Sequence, residues 1–363
     1  MTLNFYVLIL VSSALAQTSS PQTNPTSHFA VSGDSRNCGD VVMPAIADGA
    51  KQDHAVFYWH LGDLRWTSDF DQDFKQASLS QGKHLSISDY HDQEWNDFIQ
   101  NQIMLFDPVT FYVGIGNHET VAPKTRSEFL TQFSDWLNTP ELREQRLKDN
   151  SKDHQVKTYY HWIRDGVDFI NLDNASHDQF DEPQMKWFSN VTAKDANDSA
   201  IHTIVVGMHA ALPNSISANH SMNEWPLGEQ IGIKAYQTLL SLQNDSHKKV
   251  YVLASHSHFF MDGTYKTEYW RTHGGVLPGW IIGTAGAERY PLPPNAADAN
   301  AARTNVYGYL LATVNPEGKD DGTISFEFKE ITKDKIPPEI VQRYTEPLVE
   351  WCFNGNRRTT QVH

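Results

Sequence analysis

Six side chains of types that bind metal ions each follow an apolar run of this sequence, at the point where a β-strand would end. They are Asp34, Asp63, Asn117, His209, His256 and His258. Carboxylates, an amide oxygen and imidazoles are ligands that suit divalent and trivalent ions such as zinc, manganese and iron. Because α/β proteins place their chemistry at the carboxyl edge of a sheet, we expect these side chains to meet there.

The most informative stretch is Val-Gly-Ile-Gly-Asn-His-Glu at residues 113–119. An apolar run at 111–115 predicts a buried strand, and a glycine then leads into Asn117, His118 and Glu119. A turn followed by a helix N-cap would use similar residues. Four other strand ends in this chain also stop on Asp or His, and this repetition favours a functional site.

The elements that must position these side chains alternate along the chain. We predict strands at residues 28–32, 55–61, 111–115, 158–163, 167–172, 201–206, 250–254, 280–284, 307–314 and 323–331. A hairpin turn is predicted at Asp165-Gly166. We predict helices at residues 40–50, 92–106, 126–137, 182–191 and 228–242. This alternation is typical of an α/β fold, and we expect a single domain over residues 28–363.

The first residues have the composition of a removable leader. Residues 5–11 form a short apolar core, and Ala14-Leu15-Ala16 matches an A-x-A cleavage pattern, although no basic residue precedes them. We therefore predict a signal peptide at 1–16 and a polar linker at 17–27. The apolar run is too short to span a bilayer, so we expect a secreted or periplasmic protein without a membrane span.

The formal net charge of -15 excludes one class of function. Nucleic-acid binding depends on Lys and Arg that neutralise phosphates, so no nucleic-acid-binding surface is expected. An acidic surface also repels free phosphate esters at long range, and a phosphate site would need cations of its own. The sequence leaves the oligomeric state open.

The chain contains two cysteines, Cys38 near the start of the predicted mature protein and Cys352 near its end. In an exported protein we expect them to form a disulfide that ties the two termini together. Two buried, unpaired thiols are the alternative.

Five short motifs, in this order and strand context, resemble those of the calcineurin-like metallophosphoesterase superfamily. The family pattern is D-x-H, G-D, G-N-H-E/D, a lone His and G-H-x-H, each after a strand. The matching segments are Gly33-Asp34-Ser35-Arg36, Gly62-Asp63-Leu64-Arg65, Gly116-Asn117-His118-Glu119, Met208-His209 and Ser255-His256-Ser257-His258.

The resemblance implies a fold and a division of the six ligands between two metal sites. The fold is a four-layer α-β-β-α sandwich of two mixed sheets. Asp63 would bridge the two ions, and the other ligands would form one set of Asn117, His209 and His256 and another of Asp34 and His258. The ions would be manganese, iron or zinc.

The implied reaction is hydrolysis of a small phosphate ester by a metal-activated hydroxide at a di-metal centre. His118 would lie beside the metals as a proton donor or electrostatic stabiliser. Monoesters, diesters and nucleotides remain open as substrates. The segment at residues 65–90, which carries Trp66, Phe70 and Phe74, either walls the pocket or covers the sheet.

Two positions depart from the family pattern. Ser255 stands where the family usually has glycine, a minor change unless the position needs a positive φ. Arg36 stands where the histidine of D-x-H is expected, and a guanidinium has no lone pair with which to bind a metal. Asp40 is a possible substitute ligand, whereas His60 points to the opposite face of its strand.

Arg36 has two physical consequences. Its permanent charge disfavours full occupancy of the site made by Asp34, Asp63 and His258. It also suits a substrate phosphate, because the planar guanidinium fork matches phosphate oxygens. We therefore predict a tight site at Asn117, His209 and His256, a weaker or empty partner site, and Arg36 in contact with the phosphoryl group.

Two other classes of function remain as alternatives. One is a non-catalytic phosphate- or metal-binding protein that retains the fold, and the Arg36 change is its main support. The other is a serine hydrolase that uses Ser35 or Ser257. Neither serine lies in a G-x-S-x-G elbow, which argues against it.

Overall fold

The computed structural model describes residues 26–318 and 321–359. The predicted signal peptide and most of the predicted linker lie outside these residues. Within them the chain forms strands β1 (Ser27–Ser32), β2 (Ala55–His60), β3 (Thr110–Val113), β4 (Tyr160–Arg164), β5 (Val167–Asn171), β6 (Thr203–Met208), β7 (Lys249–Ala254), β8 (Phe260–Asp262), β9 (Gly279–Ile282), β10 (Ala301–Arg303), β11 (Tyr307–Val314) and β12 (Ile324–Ile331).

The helices lie between these strands and after the last of them. They are α1 (Gly39–Gln52), α2 (Gln72–Ser80), α3 (Ile87–Asn101), α4 (Arg126–Gln132), α5 (Ser134–Leu137), α6 (Pro140–Asp149), α7 (Glu182–Asn197), α8 (Pro226–Asn244), α9 (Glu268–Thr272), α10 (Pro338–Tyr344) and α11 (Glu346–Asn354). In the part of the chain that the structure describes, no helix is long and apolar enough to cross a bilayer.

The strands form two mixed sheets. The first has the order β12-β11-β1-β2-β3, and the second has the order β10-β8-β9-β7-β6-β5-β4. In the first sheet β1, β2 and β3 are parallel. Strand β11 pairs antiparallel with β1, and β12 pairs antiparallel with β11. In the second sheet β5, β6, β7 and β9 are parallel. The carboxyl ends of these parallel strands form the edges at which the predicted ligands lie.

Aromatic side chains fill the space between the two sheets. Phe57 on β2 meets Trp162 on β4 and Phe169 on β5, with ring centroids 5.5 Å and 5.1 Å apart. Phe29 on β1 contacts the same Phe169 ring at 5.1 Å. Edge-to-face contacts of this kind add about 0.5–1.5 kcal/mol to the free energy gained by burying each ring. The inner faces of the sheets therefore share one core.

Helices cover the outer faces of both sheets. Helix α1 packs on β2 and β11 of the first sheet, and α8 packs on β7 of the second, with α7 beside it. Most residues of α1 are buried, including Val41, Val42 and Ile46 on the face toward the sheet. Two sheets face to face with helices outside form the four-layer α-β-β-α sandwich, so the predicted fold class is confirmed.

All ten predicted strands are present, with ends shifted by no more than two residues. The Asp165-Gly166 turn joins β4 to β5 in an antiparallel hairpin, and both residues have positive φ. The helix predicted at 92–106 begins earlier, because Ser86 and Asp89 form a capping box, and its last turn becomes a 3-10 helix. The three-residue strands β8 and β10 were not predicted, since so short a run carries no periodic signal.

The predicted disulfide is present between Cys38 and Cys352, with the two Cα atoms 5.9 Å apart. It joins the residue just before α1 to helix α11, across a sequence separation of 314 residues. Both cysteines are fully buried. Such a bond is compatible with an oxidising compartment.

We expect the double variant C38S/C352S to be less stable than the wild type by about 2–5 kcal/mol, because the bond restricts the unfolded chain. Urea unfolding of both proteins, with the wild type also measured after reduction, gives the comparison. Thiol titration of denatured, non-reduced wild type should find no free thiol. Two titratable thiols, or equal unfolding midpoints, would contradict the expectation.

Candidate metal centre

The fold brings all six predicted ligands to one place between the sheets. Asp34, Asp63 and Asn117 follow β1, β2 and β3, whereas His209, His256 and His258 follow β6 and β7. The possible ligand atoms of Asp63, His209 and His256 lie within 4.8 Å of one another, and so do those of Asp34, Asp63 and His258. Two groups of possible ligands that share Asp63 are therefore present, and they match the division that the family resemblance implies except for Asn117, which lies beside His209.

The backbone at three of these residues is in the left-handed region. The φ angles are 61° at Asp34, 58° at Asp63 and 64° at His256. Non-glycine residues adopt this conformation at a cost, which is more often tolerated where a side chain must be aimed at a site. Gly62, with φ of 95°, is required because a Cβ there would lie 2.4 Å from the Gly116 nitrogen. This close approach joins the loops after β2 and β3.

The group formed by Asp63, Asn117, His209 and His256 has the donor chemistry of a metal site. His209 Nδ1 lies 3.1 Å from the Leu61 carbonyl and donates to it, so its Nε2 carries a lone pair. That nitrogen is 3.0 Å from Asn117 Oδ1 and 3.3 Å from Asp63 Oδ1. In the neutral imidazole these three acceptors face one another, and they repel unless a metal ion or a proton on Nε2 lies among them.

One further atom of this group is consistent with a metal ligand set. His256 Nδ1 is buried and has no hydrogen-bond partner among the described residues, whereas Asp63 Oδ2, which also lacks a hydrogen bond, faces Arg36 Nε at 3.5 Å. Buried polar atoms without partners cost about 1–3 kcal/mol each, and a metal ion removes that cost. Burial opposes the charged form of His209, but the charge of Asp63 raises the pKa of His209 to about 9. The place among these atoms therefore attracts positive charge.

The second group, made by Asp34, Asp63 and His258, already contains a cation. The Arg36 guanidinium donates from Nη2 to His258 Nε2 at 2.8 Å, and its Nη1 contacts His118 Nε2. Its Nε lies 3.5 Å from Asp63 Oδ2. With the guanidinium in this position, the three ligands do not fit a second metal ion.

His118 lies between this guanidinium and the loop after β2. The Thr67 amide lies 3.2 Å from His118 Nδ1, and the Thr67 hydroxyl donates to the His118 carbonyl at 2.7 Å. If the amide donates to Nδ1, the single proton of the neutral ring is on Nε2, which faces Arg36. Burial and the charge of Arg36 lower the pKa of His118 to about 3.

Glu119, the last residue of the Gly-Asn-His-Glu motif, joins the loop after β2 to the loop after β3. Its buried carboxylate accepts from the amides of Asp63 at 3.0 Å, Gly116 at 2.7 Å and Leu64 at 2.9 Å. A carboxylate shared by three backbone donors fixes the position of Asp63 from behind. The sequence showed this residue within the motif but gave no indication of its role.

A small cavity of about 270 Å³ opens onto the centre. Besides the predicted residues Arg36, Asn117 and His118, it is lined by Trp66, His220, Glu288, Tyr290 and Arg358, among others. The sequence indicated Trp66 only as a member of a segment. The other four lie outside the strands and α-helices, in three separate parts of the chain, where no local pattern identifies them.

Three of these lining residues, Tyr290, Arg358 and Glu288, support His258 directly or through one another. The His258 ring stacks on Tyr290 with centroids 4.0 Å apart, and the Arg358 guanidinium lies 4.0 Å from the centroid of the same Tyr290 ring. His258 Nδ1 donates to the Glu288 carbonyl at 2.6 Å, which leaves the Nε2 lone pair directed at Arg36. On the opposite side, His220, Glu224 and His256 bring possible ligand atoms within 4.8 Å of one another.

The start of the segment at residues 65–90 walls the pocket, and the rest packs on helices. Trp66 lines the cavity, whereas Phe70 and Phe74 pack on the Tyr90 ring. Helix α2, which was not predicted, lies within this segment.

Asp40 does not substitute for the missing ligand. Its carboxylate accepts from Arg65 Nη2 at 2.6 Å and from Tyr344 at 3.0 Å. Arg65 is fully buried and is shared among four carboxylates, those of Asp40, Asp71, Asp73 and Asp97. Asp71 in turn accepts from the Asn37 amide at 2.7 Å, so this cluster supports the loop that carries Arg36.

The serines considered as nucleophiles are fully buried. Ser35 Oγ donates to the Leu64 carbonyl at 3.2 Å, and its neighbour His60 accepts the Gly62 amide on Nδ1. The proton of His60 is then on Nε2, toward Ser35, so His60 cannot act as its base. Ser257 Oγ contacts Ser217 Oγ at 2.5 Å. This arrangement does not support a serine hydrolase.

Comparisons with known proteins agree with the fold. No protein-family model matches the sequence, and a search of curated proteins found no match. Among solved structures, purple acid phosphatase PPD1 from yellow lupin (Lupinus luteus) seeds aligns with a TM-score of 0.53 and 12% identity, covering 84% of this chain and 52% of that one. PhoD aligns with a TM-score of 0.51 and 12% identity, covering 85% and 72%.

These similarities concern the fold, since the identities are low. This chain spans about half the length of the lupin phosphatase. Together with the two mixed sheets, they show that the chain has the fold of the calcineurin-like metallophosphoesterases.

We expect Glu119→Gln to lower metal affinity roughly 10–100-fold, because an amide offers one oxygen to three backbone donors and turns its own NH₂ toward one of them. The unfolding free energy should fall by about 1–3 kcal/mol. Isothermal titration with Mn²⁺ or Zn²⁺ measures the first effect and urea unfolding the second. The same change at the exposed Glu144 serves as control, and equal affinities for the two variants would contradict the role given to Glu119.

Proposed function

We propose that this protein hydrolyses a small phosphate ester with the help of a metal ion held by Asp63, Asn117, His209 and His256. One observation carries the proposal. A group of buried acceptors that needs a cation lies next to a pair of donors, Arg36 and His118, that needs an anion. A phosphoryl group beside a metal ion satisfies both requirements.

The four ligands offer two imidazole nitrogens, one carboxylate and one amide oxygen, a set that suits manganese, iron or zinc. When bound, such an ion supplies Lewis acidity, which polarises a phosphoryl oxygen and lowers the pKa of coordinated water. Export to an oxidising compartment forms part of the proposal, and the buried disulfide supports it.

Arg36 and His118 would bind and orient the phosphoryl group. With Thr67 donating to Nδ1, His118 presents an N–H to the cavity from Nε2, where it meets an N–H of Arg36. Two donors that face each other are unfavourable, and an anionic oxygen in the cavity beside both nitrogens would accept from both. Hydrogen bonds to charged groups of this kind are worth about 1.5–3 kcal/mol each.

In the proposed reaction, a water oxygen forms a bond to phosphorus while the bond from phosphorus to the ester oxygen breaks. The alcohol leaves with a proton, and phosphate remains. Arg36 would stabilise the charge on the phosphoryl oxygens, and His118 would act at Nε2 as a hydrogen-bond donor to the reacting group. The small cavity favours substrates whose phosphate is accessible at one end.

A non-catalytic binding protein remains the second candidate, and one observation favours it. The guanidinium fills the place at which the family's pattern implies a second ion. A protein that only binds phosphate needs no second ion, so turnover must decide between the two candidates.

We expect metal-free protein, reloaded with Mn²⁺, Fe²⁺ or Zn²⁺, to hydrolyse at least one member of a panel containing p-nitrophenyl phosphate, bis(p-nitrophenyl) phosphate and common nucleotides. Asp63→Asn should lose most bound metal and at least about 100-fold in rate, because it removes the charge shared by the ligand group. Release of p-nitrophenol or phosphate, with metal analysis on the same samples, measures both effects.

In the same assay Arg36→Ala should raise KM roughly 10–100-fold, since it removes hydrogen bonds to the phosphoryl group. His273→Ala, which removes an exposed histidine that does not line the cavity, is the control for metal content and rate. Binding of metal and inorganic phosphate without any turnover would indicate the non-catalytic candidate. Full activity in Asp63→Asn would rule out the proposed metal site.

A further inference from the structure

The position of Arg36 within the second ligand group raises the question of how many metal ions the centre holds. Arg36 follows Asp34 by two residues, on the loop between β1 and α1. This loop is fixed on both sides of the arginine. The Ser35 amide donates to the Asp63 carbonyl at 3.1 Å, and the Asn37 amide donates to Asp71 Oδ1 at 2.7 Å.

Beyond Asn37 the loop is fixed covalently as well. Cys38 forms the disulfide with Cys352, and its amide donates to the Arg36 carbonyl at 2.8 Å. The side chain of Arg36 therefore leaves a backbone that has little freedom. It is buried, with 9% of its surface exposed, and it ends among the ligands.

The guanidinium uses the same atoms that a second metal ion would need. The Glu288 carbonyl accepts the Nδ1 proton of His258, so the lone pair of this histidine is on Nε2, and Arg36 Nη2 donates to it at 2.8 Å. Arg36 Nε faces Asp63 Oδ2 at 3.5 Å. Asp34 Oδ1 lies 3.1 Å from the same His258 nitrogen, within reach of the same positive charge.

A metal ion cannot share this place with the guanidinium. Arginine stays protonated in proteins and offers no lone pair, so it cannot become a ligand. Two cations a few ångströms apart in a buried site repel strongly. A second ion would have to displace the side chain from His258 and Asp63 and would gain only three protein ligands in return.

We propose that the Arg36 guanidinium permanently takes the place of the second metal ion, so that the centre binds a single ion at Asp63, Asn117, His209 and His256. The inference rests on the proposed metal site and deepens the proposed function. Asp34 and His258, which the family pattern assigns to the second ion, instead bind and orient an arginine. Beyond the N–H that Nη2 donates to His258, the guanidinium keeps N–H groups on both terminal nitrogens, and these can bind a phosphoryl oxygen.

The test is the number of metal ions that each chain binds. Protein freed of metal by chelation is titrated with Mn²⁺ or Zn²⁺, and the bound metal is counted by calorimetry and by elemental analysis after desalting. We expect one ion per chain in the wild type and in Arg36→Lys, which retains the charge. Arg36→His supplies a ligand in place of the cation, and it should bind two.

Asp34 provides a matched control. Asp34→Asn retains an oxygen that accepts the His256 amide, which Asp34 Oδ2 now accepts at 2.8 Å. In the wild-type background this change should leave one ion per chain. Combined with Arg36→His it should reduce the count from two to one, since Asp34 is then a ligand. The Mn²⁺ forms should differ in their electron paramagnetic resonance, with spin coupling only where two ions are bound.

Two ions of comparable affinity in the wild type would overturn the inference, and so would a single ion in a correctly folded Arg36→His protein. If that variant does not fold, the number of ions bound by the wild type still tests the inference. That number should be one, and Asp34→Asn should leave it unchanged. A wild type that binds one ion without hydrolysing any ester refutes the proposed function and leaves this inference standing. A wild type that binds two ions and hydrolyses esters refutes this inference and leaves the proposed function standing.

Discussion

The centre depends on how one buried carboxylate, that of Asp63, is neutralised. An ionised group removed from water is stable only when opposite charges and hydrogen bonds surround it. Asp63 Oδ1 accepts the His118 amide at 3.0 Å and lies beside His209, whereas Oδ2 faces Arg36. The attractions of these groups hold the pKa of Asp63 well below its usual value, although burial opposes them. The loops after β1, β3 and β6 therefore each contribute a charge or a donor to this one side chain.

The loops can do so because a second layer of buried polar contacts fixes them. Glu119 binds the amides of Asp63, Leu64 and Gly116, and Ser255 Oγ donates to the Leu61 carbonyl at 3.0 Å. Serine at position 255 thus takes part in positioning, and the family's glycine is not needed there, since it is His256 that has the positive φ. The loop that carries Arg36 is held by the carboxylates around Arg65, because Asp71 of that cluster accepts from the Asn37 amide. The precision of the centre is set by these contacts as much as by the ligands.

The sequence predicted the parts of this protein that depend on local patterns. Apolar runs located the ten longer strands, and the six candidate ligands that follow them lie together in the structure. The sequence could not exclude Asp40 as a substitute ligand. The partner of Asp40 is Arg65, whose position depends on the packing of α1 against a distant loop. Nor could the sequence identify His220 or Tyr290, which reach the cavity only through the arrangement of the two sheets. For Arg36 the residue type indicated that an expected ligand was missing, whereas the position of its guanidinium among the other candidate ligands follows only from the folded structure.

The disulfide has a consequence for the topology of the chain. Cys38 and Cys352 enclose almost the whole described fold in one covalent ring, whose two ends meet two residues from Arg36. A protease that cuts a single exposed loop inside this ring opens it without releasing a fragment. The two pieces remain linked, and the loop that carries the arginine stays attached to the last helix. Under oxidising conditions a nicked molecule therefore differs in mass from the intact one only by the water added at the cut, and a reductant is needed to separate the pieces.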